Sequence, residues 1–151
     1  MVKKLSTDSI WEMLKTIPDP EIPAISIVEL GIVRNVEFDN DQLNIIITPT
    51  YSGCPAFTFM KEEISRHLEL REITNYQIKT SLAPPWTTDW MSDEVKVKLK
   101  EAGIAPPSNE VICPRCDAPT VAVISEFGST ACKALYKCNE CSEIFHHFKQ
   151  I

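Results

Sequence analysis

The residues of this chain most able to do chemistry are its six cysteines, and five of them fall in one stretch, "CPRCDAPTVAVISEFGSTACKALYKCNEC", from Cys113 to Cys141. Cys113, Cys116, Cys138 and Cys141 form C-x2-C-x21-C-x2-C, close to the spacing of zinc ribbons. Two residues between thiolates let a tight turn aim both sulfurs at one ion. A hairpin of "TVAVISEF" and "ALYKC" brings two such turns together. Four thiolates around Zn2+ leave no open coordination position, so a site of this kind is structural. The same donors suit a mononuclear iron site of rubredoxin type, or a cluster that also takes Cys132. Buried thiols without a metal are the bland reading. Cys132 itself reads as a replacement ligand, a small buried apolar residue or a reactive thiol, with burial favoured. His146 and His147 lie on "EIFHHFKQI", an expected final strand whose alternation sends them to opposite faces; solvent exposure is expected of them, with a ligand role as the alternative.

The sixth cysteine, Cys54, sits in "TPTYSGCPAF", where an extended segment turns into an expected helix. A helix N-terminus offers unpaired N–H groups and the positive end of the macrodipole, and both favour a thiolate. Gly53 permits an unusual backbone angle and Pro55 suits a first helical turn. Hydroxyls of Thr48, Thr50, Tyr51 and Ser52 are near in sequence, and Asp19 and Glu21 on a proline-stiffened segment add carboxylates. A thiolate with carboxylates suits iron or an iron–sulfur cluster. The competing reading is a cysteine merely buried at a helix start. Trp86 and Trp90 in "APPWTTDWMS" lie outside any periodic core pattern, so they read either as anchors for a partner or as caps on the open end of a sheet.

The elements that position these groups are legible in the periodicity. "TDSIWEMLKTI", residues 7–17, repeats Ile10, Leu14 and Ile17 at helical spacing, with Thr7 or Asp8 as cap and Pro18 as terminator. Three prolines then stiffen "PDPEIPAISIVELG". "IVRNVEF" and "LNIIITPT" read as a hairpin around "DNDQ", with contiguous Ile45, Ile46 and Ile47 buried on both faces. "SGCPAFTFMKEEISRHLEL" is a second helix with Phe57, Met60, Ile64 and Leu68 as its buried stripe. "NYQIKTSLA" is a third strand, and "SDEVKVKLKEAG" a short helix capped by Ser92 and stopped by Gly103. The order predicts an α+β domain with helices on a small mixed sheet over residues 1–105, followed by a zinc ribbon over 110–151, with "GIAPPSNE" as linker. A unit of about forty residues rarely sustains a core without metal or disulfides.

Composition narrows the partners. The chain has 151 residues, 44% hydrophobic and 24% charged, which reads as globular and soluble. A net charge of −6 argues against a nucleic-acid binder, and residues 110–151 hold four Lys/Arg against five Asp/Glu, so the tail has no basic face. No apolar run approaches the roughly 18 residues of a membrane helix, and the N-terminus carries no apolar signal-peptide core. A cytoplasmic protein with protein partners is the expectation.

"DPEIPAISIVELGIVRNV", "TPTYSGCPAF", "APPWTTDWMS" and "SEFGSTACKALYKC", in this order, resemble the PaaD (PaaJ) family, whose members are subunits of the bacterial phenylacetyl-CoA ring epoxidase system. The first domain also resembles SufT-like iron–sulfur assembly domains, which carry a "DPE" and a "GCP" helix start. The resemblance runs from about Ile10 to Phe148. It implies a non-catalytic subunit that helps mature the complex, by iron–sulfur cluster or iron delivery to the reductase or di-iron oxygenase component. It further implies Cys54 as the cluster-handling thiolate with Asp19, Glu21 and Thr50 as neighbours, and Cys113, Cys116, Cys138 and Cys141 as zinc ligands. Gln150 stands where many relatives have a cysteine, which weakens a pairing of Cys132 with the terminus. The alternative function is a structural interaction subunit of the same complex, with Cys54 inert and Trp86 or Trp90 making the contact. An enzyme acting on a CoA thioester is disfavoured, because no base–nucleophile pair or phosphate-cradling glycine loop is present. One sulfur ligand per chain would suit a transient cluster bridging two protomers, hence an expected homodimer.

Overall fold

The computed structural model describes residues 6–50, 55–128 and 131–150. The chain folds as two compact units, Met1–Trp86 and Thr87–Ile151. In the first, helix α1 (Thr7–Leu14) is capped one residue earlier than expected. Ser6 Oγ accepts the Ser9 N–H at 3.2 Å while Ser9 Oγ accepts the Ser6 N–H at 3.3 Å, a reciprocal box that satisfies two orphan donors. Ile10, Met13 and Leu14 are buried, and Ile17 follows them into the core just before Pro18.

Strand β1 (Val33–Asp39) turns back into β2 (Gln42–Ile47) through Asn40 (φ 48°) and Asp41 (φ 70°). A two-residue turn that matches strand twist needs both central residues left-handed, a conformation Asn and Asp tolerate better than most. Strand β3 (Tyr76–Thr80) lies parallel to β2, so the connection must cross over, and helix α2 (Pro55–Leu70) supplies that crossover. The stripe Phe57, Met60, Ile64 and Leu68 is buried as expected. The sheet is mixed, in the order β1-β2-β3. Its apolar face carries Val33, Val36, Leu43, Ile45 and Ile47, all buried. Ile46 corrects the expectation of burial on both faces. Its register partners are Asn35 and Lys79, both exposed, so it is only half-buried, although Asn44 on the same face is buried.

The last residue of this unit explains a feature that the sequence left open. Trp86 is 2% exposed, and its indole N–H donates to the Leu30 carbonyl at 2.9 Å. A side chain sealed in this way presents no surface to a partner, so the anchor role expected for Trp86 gives way to a packing role. Trp90 is half-buried in a short 3-10 turn, Thr88–Trp90, within the second unit.

The second unit continues with α3 (Asp93–Glu101). Ser92 Oγ accepts the Val95 N–H, and Gly103, at φ 81°, closes the helix. Four strands follow: β4 (Ile104–Ala105), β5 (Val121–Ser125), β6 (Lys133–Cys138) and β7 (Ile144–Phe148), in the order β4-β7-β6-β5. Strands β5, β6 and β7 form an antiparallel meander, and β4 adds parallel to β7. Pairing of Ile104 and Ala105 with His146 and His147 puts part of the expected linker inside the ribbon sheet. The division between units therefore falls after Trp86, upstream of the boundary that composition suggested at residues 105–110. Among the described residues, no helix is long and apolar enough to cross a membrane.

The two histidines do take opposite faces of β7. His147 is buried, against the expectation of exposure, because its face carries Ala134, Tyr136 and Phe145. Tyr136 stacks on Phe145 at 6.0 Å and meets the His147 ring edge-on at 5.6 Å. His146 lies against Gly128, where an added Cβ would stand 2.6 Å from the imidazole Cδ2; a side chain at position 128 cannot be accommodated without moving that ring.

Two expectations follow. Trp86→Ala should destabilise the first unit by about 3–5 kcal/mol, the usual cost of emptying a buried tryptophan site, with Trp86→Phe costing less; urea denaturation followed by circular dichroism measures both. Burial lowers the His147 pKa, opposed more weakly by a hydrogen bond with the Pro106 backbone. Its ring resonances should therefore titrate below the ordinary value of about 6.5 in an NMR pH series. The unfolded chain takes up this proton first as pH falls. The contribution to stability is thus complete above about 6.5 and is lost as pH falls through the lowered native value.

Candidate metal centre and the upstream cysteine segment

The two cysteine knuckles are built alike. In the first, the Cys113 N–H donates to the Ala118 carbonyl at 3.0 Å and the Asp117 N–H to the Cys113 carbonyl at 3.0 Å. In the second, the Cys138 N–H donates to Glu143 at 2.8 Å and the Ser142 N–H to Cys138 at 3.0 Å. The residue directly after the second cysteine is left-handed in each, Asp117 at φ 62° and Ser142 at φ 64°. Each knuckle is therefore a closed turn whose reversal depends on one residue in an uncommon conformation. Sequence reading found the cysteines but not these positions. The signal available was positional: a small polar residue immediately following C-x-x-C.

Backbone and side-chain bonds together tie the knuckles to each other. The Asn139 N–H donates to the Thr120 carbonyl at 2.8 Å, Thr120 Oγ1 donates to Glu140 at 3.0 Å, and Arg115 pairs with Glu143 at 2.7 Å. The Arg115–Glu143 pair is solvent-exposed and so contributes little energy, but it fixes which faces meet.

Their meeting brings the Sγ atoms of Cys113, Cys116, Cys138 and Cys141 within 4.8 Å of one another. Cys113 and Cys141 stand 3.7 Å apart and Cys116 and Cys138 3.6 Å apart. Sulfurs at the corners of a tetrahedron around an ion at about 2.3 Å would stand about 3.8 Å apart. These separations fit that figure and are far longer than a disulfide, and none of the five described cysteines is disulfide-bonded. The donor set therefore fits a four-coordinate, sulfur-rich metal ion. Cys113 and Cys138 are fully buried, Cys141 is half-buried and Cys116 is exposed, so one corner of the cluster faces solvent.

The sulfurs share charge unevenly. The Cys141 N–H, reaching Cys138 Sγ at 3.5 Å, does most to lower the Cys138 pKa to about 7, with the Glu140 backbone and neighbouring thiols adding to it. Cys116 is pushed up to about 12: the Ala118 backbone favours its thiolate, but desolvation and the three neighbouring cysteines together prevail. The first thiolate forms readily at Cys138, and a second is opposed unless a cation joins the four. Cys132 and the two histidines lie outside the cluster. Cys132 is buried, as favoured for it.

The upstream candidates are less closely gathered in view. Cys54, with Tyr51, Ser52 and Gly53, lies outside the described residues. Asp19 is buried, and its Oδ1 accepts the Glu21 N–H at 2.8 Å and the Ile22 N–H at 3.0 Å, while its own N–H donates to Ile25 at 2.8 Å. This carboxylate pins the proline-rich segment as a tight loop, a structural use that its sequence context did not announce. Glu21 is exposed and Thr50 half-buried.

Comparisons with known proteins divide along the same lines as the fold. Residues 100–149 match the PaaD zinc beta ribbon domain, and residues 7–76 match the iron–sulfur cluster assembly protein family. A relative from Escherichia coli, named as a subunit of a "Putative 1,2-phenylacetyl-CoA epoxidase", is 46% identical over 94% of this chain and 92% of its own length. The Fe-S protein maturation auxiliary factor YitW of Bacillus subtilis is 35% identical over 61% of this chain and 91% of its own. Among solved structures, a domain of unknown function from Bacillus anthracis superposes with a TM-score of 0.56 at 28% identity, covering 62% of this chain and 90% of that one. The near full-length likeness to the Escherichia coli protein, together with the ribbon match, decides the family: this chain belongs to the PaaD family of phenylacetyl-CoA epoxidase subunits.

Proposed function

We propose that this chain is an accessory protein of a phenylacetyl-CoA epoxidase system that assists iron–sulfur cluster or iron delivery to the reductase or di-iron oxygenase component. The observation that carries the reading is the joining, in one polypeptide, of an iron–sulfur assembly match over residues 7–76 to a PaaD ribbon over residues 100–149. The relatives of the first unit are named as maturation factors, which supports a role without a catalytic step of its own. Its partners in this reading are protein subunits in the cytoplasm.

The two groups of sulfur then have separate duties. Cys113, Cys116, Cys138 and Cys141 hold a structural zinc ion. A tetrathiolate site has no free position for exchange, and the ion supplies folding free energy that a small unit lacks. Cys54 is the thiolate that handles the cluster, in keeping with its place in the chain directly before the sixteen-residue helix α2. Asp19, Glu21 and Thr50 are its proposed neighbours, and Asp19 also holds the shape of the segment that carries Glu21.

Each duty has its own test. Stripping the metal with a strong chelator should abolish ordered NMR signals from the ribbon while the first unit keeps its dispersion. Cys138→Ser should cut bound zinc, measured by emission spectrometry, to well below one ion per chain; full zinc retention by this variant would overturn the assignment. Coexpression of the reductase component with wild-type protein should raise its cluster content, read from visible absorption and iron assay, and Cys54→Ser should lose that gain. Equal occupancy with both proteins would remove the delivery role.

A further inference from the structure

Charge is distributed unevenly around the four sulfurs. Residues 113–118 and 138–143, which make the two knuckles, hold three acids, Asp117, Glu140 and Glu143, and one base, Arg115. Asp117 is paired with Lys100 from α3, and Glu140 accepts the Thr120 hydroxyl. Arg115 lies between Cys113 and Cys116 in the first knuckle. It reaches across to the second, where its guanidinium meets the Glu143 carboxylate at 2.7 Å. Glu143 follows Cys141 by two residues, so this ion pair joins the knuckles beside the cluster.

The backbone of Glu143 is engaged separately from its carboxylate. Its carbonyl accepts the Cys138 N–H at 2.8 Å, and its N–H is a hydrogen-bond partner of the Cys141 sulfur. A change at the carboxylate that keeps the backbone therefore leaves the turn of the second knuckle in place. Glu143 does most to raise the Arg115 pKa, and the Cys141 and Cys113 thiolates add to it. The cation thus lies within electrostatic reach of sulfurs from both knuckles.

Four thiolates around a divalent ion leave two net negative charges, and around a trivalent ion one. A cation beside the sulfurs stabilises the more negative form by more, and a carboxylate does the reverse. We propose that Arg115 and Glu143 set the charge preference of the ribbon site, Arg115 biasing it towards a divalent ion and Glu143 limiting that bias. This rests on the metal reading above and is independent of Cys54. A pair that only latched the knuckles together would fail in the same way whichever partner were neutralised. A pair that acts through its charges responds in opposite directions.

The experiment is a redox titration of full-length protein loaded anaerobically with iron in place of zinc. Visible absorption of thiolate-bound iron follows it, with iron per chain assayed alongside. Arg115→Gln should lower the potential, moving the ferric-to-ferrous ratio at a fixed potential at least about threefold towards ferric, the size expected of an exposed charge. Arg115→Lys should stay close to wild type, and Glu143→Gln should move the ratio towards ferrous. The double variant should fall between the two. The Arg115 side chain is 70% exposed, so its replacement leaves no hole, and Glu143→Gln serves alone if the first variant fails to hold iron. Shifts in the same direction for Arg115→Gln and Glu143→Gln, or none in either, overturn the proposal and leave the metal site standing. A wild type that gives no spectrum of thiolate-bound iron overturns the proposal, and if it also retains no zinc, the metal reading with it.

Discussion

The second unit depends on a convergence that its own side chains oppose. Four sulfurs are held within 4.8 Å of one another, two of them fully buried. Backbone N–H groups favour one thiolate, at Cys138, and the neighbouring sulfurs then resist the next. Four thiolates around one point would repel strongly at low local dielectric. A divalent cation at the centre reverses the sign of that interaction and turns the least favourable feature of the unit into its largest stabilising one. The core directly beside the cysteines is modest, Ala105, Phe145 and partly buried Tyr136 and Val121, while Met91, Val95, Leu99, Ala134 and Phe148 are buried elsewhere in the unit. In the proposed reading, metal binding contributes to the folding of this unit.

The first unit answers the same problem of small size by different means. Its sheet has only three strands and one apolar face, so the loops must contribute to the core. Ile22, Ile25, Ile27 and Leu30 do so, and they can only because Asp19 satisfies the backbone of the turn that carries them. Trp86 closes the unit by hydrogen-bonding Leu30 at the far end of that same loop. A buried carboxylate and a buried indole thus bracket one segment. Buried polar groups are tolerated where they are hydrogen-bonded, and both of these are.

What could be read beforehand was whatever repeats. Helical spacing gave α2 and its stripe, and knuckle spacing gave four sulfurs that do converge. What escaped was decided by distant partners. Ile104 and Ala105 have no strand pattern of their own and become β4 only because β7 offers an edge. Trp86, read either as an anchor or as a cap, and His147, expected in solvent on an alternating strand, are both buried against partners brought in by the fold, Leu30 for the first and Ala134 and Tyr136 for the second. Ile46 failed for a different reason: an apolar run implied burial throughout, and its cross-strand partners Asn35 and Lys79 are exposed. The carboxylate of Asp19, read in sequence as a neighbour of Cys54, also shapes the turn through short-range hydrogen bonds that no periodicity announces.

The distribution of charge separates what the two units can engage. Residues 1–86 hold twelve acidic and eight basic side chains, and residues 87–151 nine and seven. The acidic excess is larger in the first unit, where a thiolate site for iron would sit in the proposed reading. Acidic surface attracts metal cations and repels nucleic acid over distances up to the Debye length, about 10 Å at moderate salt. In the second unit the cations and acids nearly cancel, and strand β5 carries no charge at all. A neutral apolar edge such as that of β5, with Val123 and Ile124 exposed, gains nothing from long-range steering and recognises only by shape, hydrogen bonding and burial. Such an edge discriminates poorly among strands in general but well between charged and uncharged ones.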